Sequence, residues 1–533
     1  MSDGRGSVHR RRVLQGALVA GSLFLPLPWA LVRAQSEGAG RLLRAPKVAL
    51  VVGNSAYRNV NALRNAGNDA RAIAGALRAC GFEVTLLEDA PRREMIDAIG
   101  AYTRALATRN AVGAFYFAGH GVQLDWRNYL LPVDTRVLEP GDIASQCIDL
   151  TTLVGGLRGA ANPMNLIILD ACRDNPFGPA AGPGQKGLSQ MDAPLRTLLA
   201  YSTAPGNAAD DGPGAHGLYT GSLLQEMKVR EARIEDIFKR VRLGVRRASG
   251  GRQVPWESTS LEDDFYFLPT EQLRKLSAQE EEREFADEAA MFERARQASE
   301  PAPIEAYLGR YPSGRFAELA QHRLDRLLAG AGEKRVEAVS SEGNPFTAGT
   351  ARADTRFRVG DSFTYDRFDK TLFGKKPERY TSSVTAITGE HVVFNDGKAI
   401  RDLLGNQVRF RDGREVTPRQ DQPLEYAIGK KWSTRFESSR GGKLIGSVML
   451  HFRVVARETI TVPAGTFDCF RIEASGVNRL PGRPDFETSA VRWEAPGRVR
   501  MAVAKEEVRR RVVMGHVKTL YADRIELVSF TQR

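Results

Sequence analysis

Between Lys47 and Leu268, short apolar runs alternate with amphipathic stretches. Lys47 to Val52 is an apolar run that closes on Gly53-Asn54. Asn65 to Cys80 puts Ala70, Ile73, Ala74 and Leu77 on one face at helical spacing. Phe82 to Leu87 predicts a second strand and Pro91 to Arg109 a second helix. Ala111 to Ala118 is a third run, closed by Gly119-His120-Gly121, and Asn165 to Leu169 a fourth, closed by Asp170-Ala171-Cys172. Leu198 to Ser202 is a fifth. Residues 219–229 and 234–248 predict helices, and Asp264 to Leu268 a last strand. This alternation predicts an α/β domain over residues 45–269, with an open, mostly parallel sheet covered by helices on both faces.

The pattern then changes twice. Residues 270–330 predict an α-helical hairpin similar to one tetratricopeptide-like unit. Phe285, Ala289, Phe292 and Ala295 mark its first helix, and Ile304 to Leu328 its second. A lone unit lacks neighbours to stack on, so it reads as a docking hairpin or spacer. Residues 331–354, rich in Gly, Ser, Glu and Ala, read as a linker. Residues 355–533 are β-rich. Runs such as Val384–Ile387, Val392–Asn395, Val448–Val455 and Phe470–Ile472 lie between Gly, Asp and Asn turns. Thr461-Val462-Pro463-Ala464-Gly465-Thr466-Phe467 and Trp493-Glu494-Ala495-Pro496-Gly497 resemble a pattern in periplasmic β-sheet domains of uncertain function.

Composition changes this picture mainly at the N-terminus. The 533 residues carry a formal charge of +12, and five arginines with one aspartate in residues 1–34 leave +8 for the rest. That remainder forms no dense basic stripe, so no nucleic-acid partner is expected. Arg10, Arg11 and Arg12 precede an apolar stretch from about Gly16 to Val32, with Val32-Arg33-Ala34 as a small-residue cleavage site. Residues 1–34 therefore read as a twin-arginine-type signal peptide, with export to the periplasm expected. The alternative is an uncleaved membrane anchor. Pro26 and Pro28 break the run, and no later segment is apolar enough to span a bilayer. Cys80, Cys147, Cys172 and Cys469 form no CxxC pair and no metal-like cluster, so neither metal nor cofactor is expected. Core filling is the reading for Cys80, Cys147 and Cys469, with a Cys80–Cys147 disulfide as the minor alternative. His216, His322, His391, His451 and His516 read as structural or surface residues.

Two predicted strands end in reactive side chains, His120 and Cys172, at the carboxyl edge where open α/β sheets bind ligands. Neighbouring strands would bring imidazole and thiol together. An ordinary thiol, with a pKa of about 8.5, is only a few per cent thiolate at neutral pH. A nearby imidazole can take its proton and later protonate an amine leaving group. The N–H groups of Gly121 and Cys172 are candidate oxyanion donors.

These residues resemble the caspases and metacaspases. His120 and Cys172 stand 52 residues apart, against about 50 in caspases. Asp170-Ala171-Cys172-Arg173 is similar to the caspase nucleophile motif, and Phe117-Ala118-Gly119-His120-Gly121 to the histidine motif. Leu63…Asn68-Asp69-Ala70, Tyr129-Leu130-Leu131-Pro132 and Ser202-Thr203-Ala204-Pro205-Gly206 fit bacterial caspase-like proteins. The resemblance spans Lys47 to Leu268 and implies a cysteine endopeptidase with His120 and Cys172 as its catalytic pair. Asp170 departs from the caspase glutamine. Metacaspases place acidic residues there and cut after Arg or Lys, so Asp170 and Asp69 are implied to form an acidic S1 pocket, with Asp210 and Asp211 at its rim. The partners implied are proteins or peptides with a basic P1 residue, and envelope proteins through residues 270–533. Phe177 to Pro194, rich in Gly, Pro and Ala, corresponds to the linker between caspase subunits, and Lys186 within it is a candidate self-cleavage site. Two alternatives remain at this stage. One is a catalytically silent scaffold on the same fold, and the other a thiol-dependent acyl transferase or amidase. The acidic Asp170 favours the peptidase over the transferase.

Overall fold

The computed structural model describes residues 38–172, 176–178, 187–204, 214–269, 278–333, 344–372, 374–513 and 516–533. The α/β unit contains β1 (Lys47–Gly53), α1 (Ala66–Ala79), β2 (Glu83–Glu88), α2 (Arg92–Arg109), β3 (Val112–Leu124), β4 (Arg127–Leu130), α3 (Pro140–Gln146), β5 (Ile148–Asp149), α4 (Leu150–Ala160), β6 (Met164–Cys172), β7 (Thr197–Tyr201), α5 (Leu218–Glu226), α6 (Ile234–Ala248) and β8 (Trp256–Thr259). The main sheet runs β2-β1-β3-β6-β7-β8, parallel throughout except for β8. Strand periodicity divides it into two cores. Ala49, Val51, Tyr116 and Ile168 pack under α1, α5 and α6. Leu50, Val52, Phe115, Phe117, Ile167 and Leu169 pack under α2 and α4. The parallel sheet is thus covered on both faces, as its near-continuous apolar strands require.

The last strand is Trp256–Thr259, and residues 264–268 make a single bridge, Tyr266 to Arg233. The alternation that reads as a strand there has another cause. Phe265 and Phe267 are buried in the α1/α5/α6 core, so period-two burial is satisfied without a neighbouring strand.

Beyond the sheet, α7 (Ala278–Gln297) is followed by α8 (Pro301–Arg310) and α9 (Ala317–Gly330). The second helix of the expected hairpin is therefore divided. Pro312, Ser313 and Gly314 lie between α8 and α9, where a prolyl ring and a glycine oppose helix continuation. The turn is held by buried Glu288 of α7, which accepts from Tyr307 Oη at 3.0 Å and pairs with Arg315 at 2.7 Å. These helices bridge the sheet domain to the C-terminal domain. Arg246 of α6 pairs with Asp325 and Glu333, and Glu318 of α9 pairs with Lys430.

The C-terminal domain opens with β9 (Thr350–Arg352) and continues through β10 (Ser362–Asp369), β11 (Glu378–Ile387), β12 (His391–Phe394), β13 (Ala399–Asp402), β14 (Gln407–Arg409), β15 (Glu415–Val416), β16 (Glu425–Ala427), β17 (Lys431–Arg440), β18 (Lys443–Val462), β19 (Gly465–Leu480), β20 (Arg483–Glu494), β21 (Ala504–Val513) and β22 (His516–Thr531). β9 and β16 form a separate ribbon, and the other twelve strands of residues 362–531 close a barrel, sealed where β10 pairs with β22.

Candidate active site

β3 and β6 are hydrogen-bonded neighbours, in a parallel register that runs from Val112↔Met164 to His120↔Cys172. Adjacent strands lie about 4.8 Å apart, so the two residues stand side by side at the carboxyl edge of the sheet. Ala118 and Asp170 are paired two steps earlier. This one register brings together residues that the sequence separates.

The His120 ring is buried and fixed from two sides. Its Nε2 lies 2.8 Å from the Asn61 carbonyl oxygen, and its centroid is 4.7 Å from that of Tyr57. The backbone N–H of His120 donates to Tyr57 Oη at 2.8 Å, and that hydroxyl donates to the Leu131 carbonyl. A carbonyl only accepts, so Nε2 carries the proton in the neutral ring and Nδ1 holds the lone pair. Asn61 therefore selects the tautomer.

The peptide between His120 and Gly121 is oriented by β4. Leu131 N–H donates to His120 O at 3.0 Å. In a planar trans peptide the N–H points opposite to the C=O, so the Gly121 N–H points away from β4. Carbonyl directions alternate along a strand, and Ala118 O accepts from Asn54 on the β1 side. His120 O shares that side, which turns the Gly121 N–H toward β6. A side chain at residue 121 would have its Cβ 3.0 Å from Leu188 Cδ2 and 3.2 Å from Ala171 Cβ, a tight fit that only a small shift of these side chains could relieve. Leu188 is itself fixed, because Asn128 exchanges hydrogen bonds with both backbone groups of Ser189. Asn344 adds bonds to Ser189 Oγ and Gln190 O, and Phe346 O accepts from Asp192. The end of the segment expected as linker thus packs on the sheet domain.

Asp69, in the first turn of α1, and Asp170, near the end of β6, converge at the start of α5. Asp69 is buried; its Oδ1 lies 2.8 Å from His216 Nδ1, and its Oδ2 accepts from Gly217 N–H at 3.1 Å. Asp170 Oδ2 accepts from Thr220 Oγ1 at 2.6 Å and from Tyr116 Oη at 3.5 Å. Burial first, then the charges of Asp170 and Asp69, hold the Tyr116 phenol well above its ordinary pKa, so it remains a donor. A Cβ added at Gly217 would lie 3.2 Å from Asp69 Oδ2 and 3.9 Å from Asp170 Oδ2. Both carboxylates therefore have an oxygen within 4 Å of one point over the Gly217 backbone. Asp210, Asp211 and Lys186 lie outside the described residues, as do residues 1–37.

Four participants carry no sequence signal of their role. Asn61 acts through its backbone carbonyl, which every residue possesses. Tyr57, Thr220 and His216 become relevant only through tertiary contacts. His216, expected to be structural or surface, engages Asp69 through its Nδ1.

The remaining cysteines are free thiols, so Cys80 and Cys147 are not joined. Burial pushes Cys80 up to about 11 against the opposing charge of Lys47, and pushes both Cys147 and Cys469 up to about 12. A thiol raised this far is protonated at neutral pH and a poor nucleophile. Iodoacetamide at a pH of about 7.5 is accordingly expected to label Cys172 first, read by peptide-resolved mass spectrometry. Equal labelling rates at Cys147 and Cys172 would contradict this.

Residues 46–266 match the family model described as the caspase domain. The mucosa-associated lymphoid tissue lymphoma translocation protein 1 homolog of Mus musculus is 28% identical over 138 residues, which is 26% of this chain and 16% of that protein. The Homo sapiens protein of that name is 29% identical over 132 residues, 25% of this chain and 15% of that protein. The chain thus spans about one sixth of the length of these curated relatives.

Proposed function

We propose, on the match of residues 46–266 to the caspase-domain model, that the chain is a cysteine endopeptidase that uses His120 and Cys172 and cuts after Arg or Lys. The observation that carries the reading is the β3–β6 register, which sets His120 beside Cys172 at the sheet's carboxyl edge.

The proposed reaction follows from the groups at that edge. The Cys172 sulfur attacks the scissile carbonyl carbon and its proton passes to Nδ1 of His120. The carbonyl oxygen takes the negative charge and is met by the N–H groups of Gly121 and Cys172. The tetrahedral adduct collapses by breaking the C–N bond, and His120 returns the proton to the departing amine. Water then enters as the second nucleophile, deprotonated by the same imidazole, and releases the carboxylic acid and the thiol. Asp69 and Asp170 are the proposed receptors for a cationic P1 side chain.

The test is turnover of matched peptide reporters that differ only at P1, with Arg, Lys or Asp, by wild type and Cys172→Ala. We place this activity outside the cytoplasm, on the arginine cluster and apolar stretch of residues 10–32. Fractionation should recover a chain shortened by about 34 residues from the periplasm, and Arg11→Lys with Arg12→Lys should strand the full-length chain in the cytoplasm. Wild-type chain found full-length in the cytoplasm would reject that placement.

A further inference from the structure

One end of the barrel combines features the peptidase reading does not use. In an antiparallel meander alternate hairpins turn at the same end, so the β17–β18 and β19–β20 turns and the tip of the β21–β22 pair lie together. The β10–β11 turn opens toward the same end but is set back from the β21–β22 tip, because Asp369, at the end of β10, pairs with Asp523 in the middle of β22. The ion pairs and backbone contacts that tie the barrel to the helices involve Lys430, on the approach to β17, Arg435 within it, and Gly389 and Glu390, between β11 and β12. Gly389 lies at the opposite end of β11 from these tips.

Large apolar side chains stand in water at this end. Val512 is 63% and Val517 68% exposed, and Leu372, Leu444, Val513 and Leu520 are exposed with them. These are six of the thirteen exposed large hydrophobics among the described residues. They concentrate on a small fraction of the surface and are not scattered singly. Cations surround them. Lys370, Lys375 and Lys376 lie on the first hairpin, Arg440 and Lys443 on the second, Arg479 and Arg483 on the third, and Arg510 and Lys518 on the fourth, all exposed. The aspartates at this end already face cations of neighbouring strands, Asp369 with Lys375, Asp412 with Arg440 and Asp485 with Arg479.

We propose that these four hairpin tips dock the chain on the surface of a bilayer that carries anionic headgroups. Aliphatic side chains interleaved with Lys and Arg suit the boundary between headgroups and acyl chains, where apolar burial and attraction to anionic lipid add. The described residues of the tips include no exposed Phe, Tyr or Trp, which disfavours single-stranded nucleic acid. The wall of the barrel is polar: beyond the tip residues Lys443 and Leu444 the exposed positions of β18 are Arg453, Arg457, Thr459 and Thr461, and Arg435 of β17 pairs with Glu282 of α7. The barrel therefore meets the membrane with its end and does not span it.

The experiment is sedimentation of the full chain with vesicles of phosphatidylcholine alone or with about 30 mol% phosphatidylglycerol. Sedimentation is expected with the anionic vesicles only, and is lost near ~0.5 M salt, where screening is strong. Lys443→Gln with Arg483→Gln should weaken binding roughly 25-fold, at about fivefold per cation removed. Val512→Asp with Val517→Asp should weaken it at least about tenfold. Both double variants should keep wild-type peptidase turnover and thermal stability. Binding through the apolar N-terminal stretch would be indifferent to the tip substitutions, so vesicle binding unchanged in both variants overturns the proposal. So does failure to bind anionic vesicles. Tip-dependent capture by heparin without vesicle binding would also overturn it, in favour of an anionic polymer.

Discussion

Cys172→Ala is expected to reduce turnover of every peptide reporter to background, and His120→Ala to lower kcat by about 10³–10⁴-fold. Members of a nucleophile–base unit fail together, because neither half activates the substrate alone. His120→Ala also removes a buried ring that packs on Tyr57 and bonds Asn61, so part of its effect could come from the fold. His120→Gln separates the two causes. Its side-chain N–H can still donate to the Asn61 carbonyl, but an amide is no base. Turnover should fall as far as in His120→Ala while thermal stability stays nearer wild type. Alkylation of Cys172 in either variant should shift toward the pH range of an ordinary thiol, about 8.5, because the neighbour that takes the proton is gone. Retained turnover in Cys172→Ala would remove the pair from the mechanism. Absent turnover in wild type, with Cys172 no faster to alkylate than Cys147, would return the chain to the silent-scaffold reading.

The two residues of this experiment were legible because each closes an apolar strand. Tyr116-Phe117-Ala118 and Ile168-Leu169 are buried on both faces of a parallel sheet, and such strands announce themselves as continuous apolar runs. Glycines or polar residues after them mark the carboxyl edge. Elsewhere the same signals point less clearly. Phe265 and Phe267 alternate as strand residues do, yet they fill a helix-covered core, while the strand itself is Trp256–Thr259, too short for a pattern. The apolar periodicity of Ile304 to Leu328 runs straight across the turn at Pro312 to Gly314, since both helices bury the same face. In the C-terminal domain the strands were visible but closure was not. It depends on β10 meeting β22, about 160 residues away in the chain, and a local pattern carries no information about such a pairing. The site shows the same division. Asp69 and Asp170 could be marked as acids, whereas the Asn61 carbonyl and the His216 contact exist only once the chain is folded.

Asp170→Asn is expected to lower kcat/KM on an Arg reporter by about 10–100-fold and to leave iodoacetamide labelling of Cys172 unchanged. Asp69 Oδ2 and Asp170 Oδ2 both lie within 4 Å of one point above Gly217, so they are at most about 7 Å apart. A guanidinium entering that space can meet both, and each charge-assisted hydrogen bond contributes about 1.5–3 kcal/mol. Converted to rate, one such bond is the stated factor. The substitution is nearly isosteric, and an amide oxygen can still accept from Thr220 and Tyr116, so the fold around β6 should hold. Asp69→Asn should act in the same direction but more weakly, because its oxygens are already engaged by His216 and the Gly217 N–H. Gly217→Ala adds a methyl group where the P1 cation must sit and should depress Arg and Lys substrates together. An aspartate at P1 would meet two carboxylates, and repulsion discriminates as effectively as attraction. Wild type should therefore show no measurable preference for Asp, and Asp170→Asn should narrow the Arg-to-Asp ratio by lowering its numerator. The measurement is kcat/KM on three peptides identical except at P1. A wild-type enzyme that prefers Asp, or an Asp170→Asn variant within twofold of wild type on Arg, would rule out the acidic pocket while leaving the His120–Cys172 pair in place.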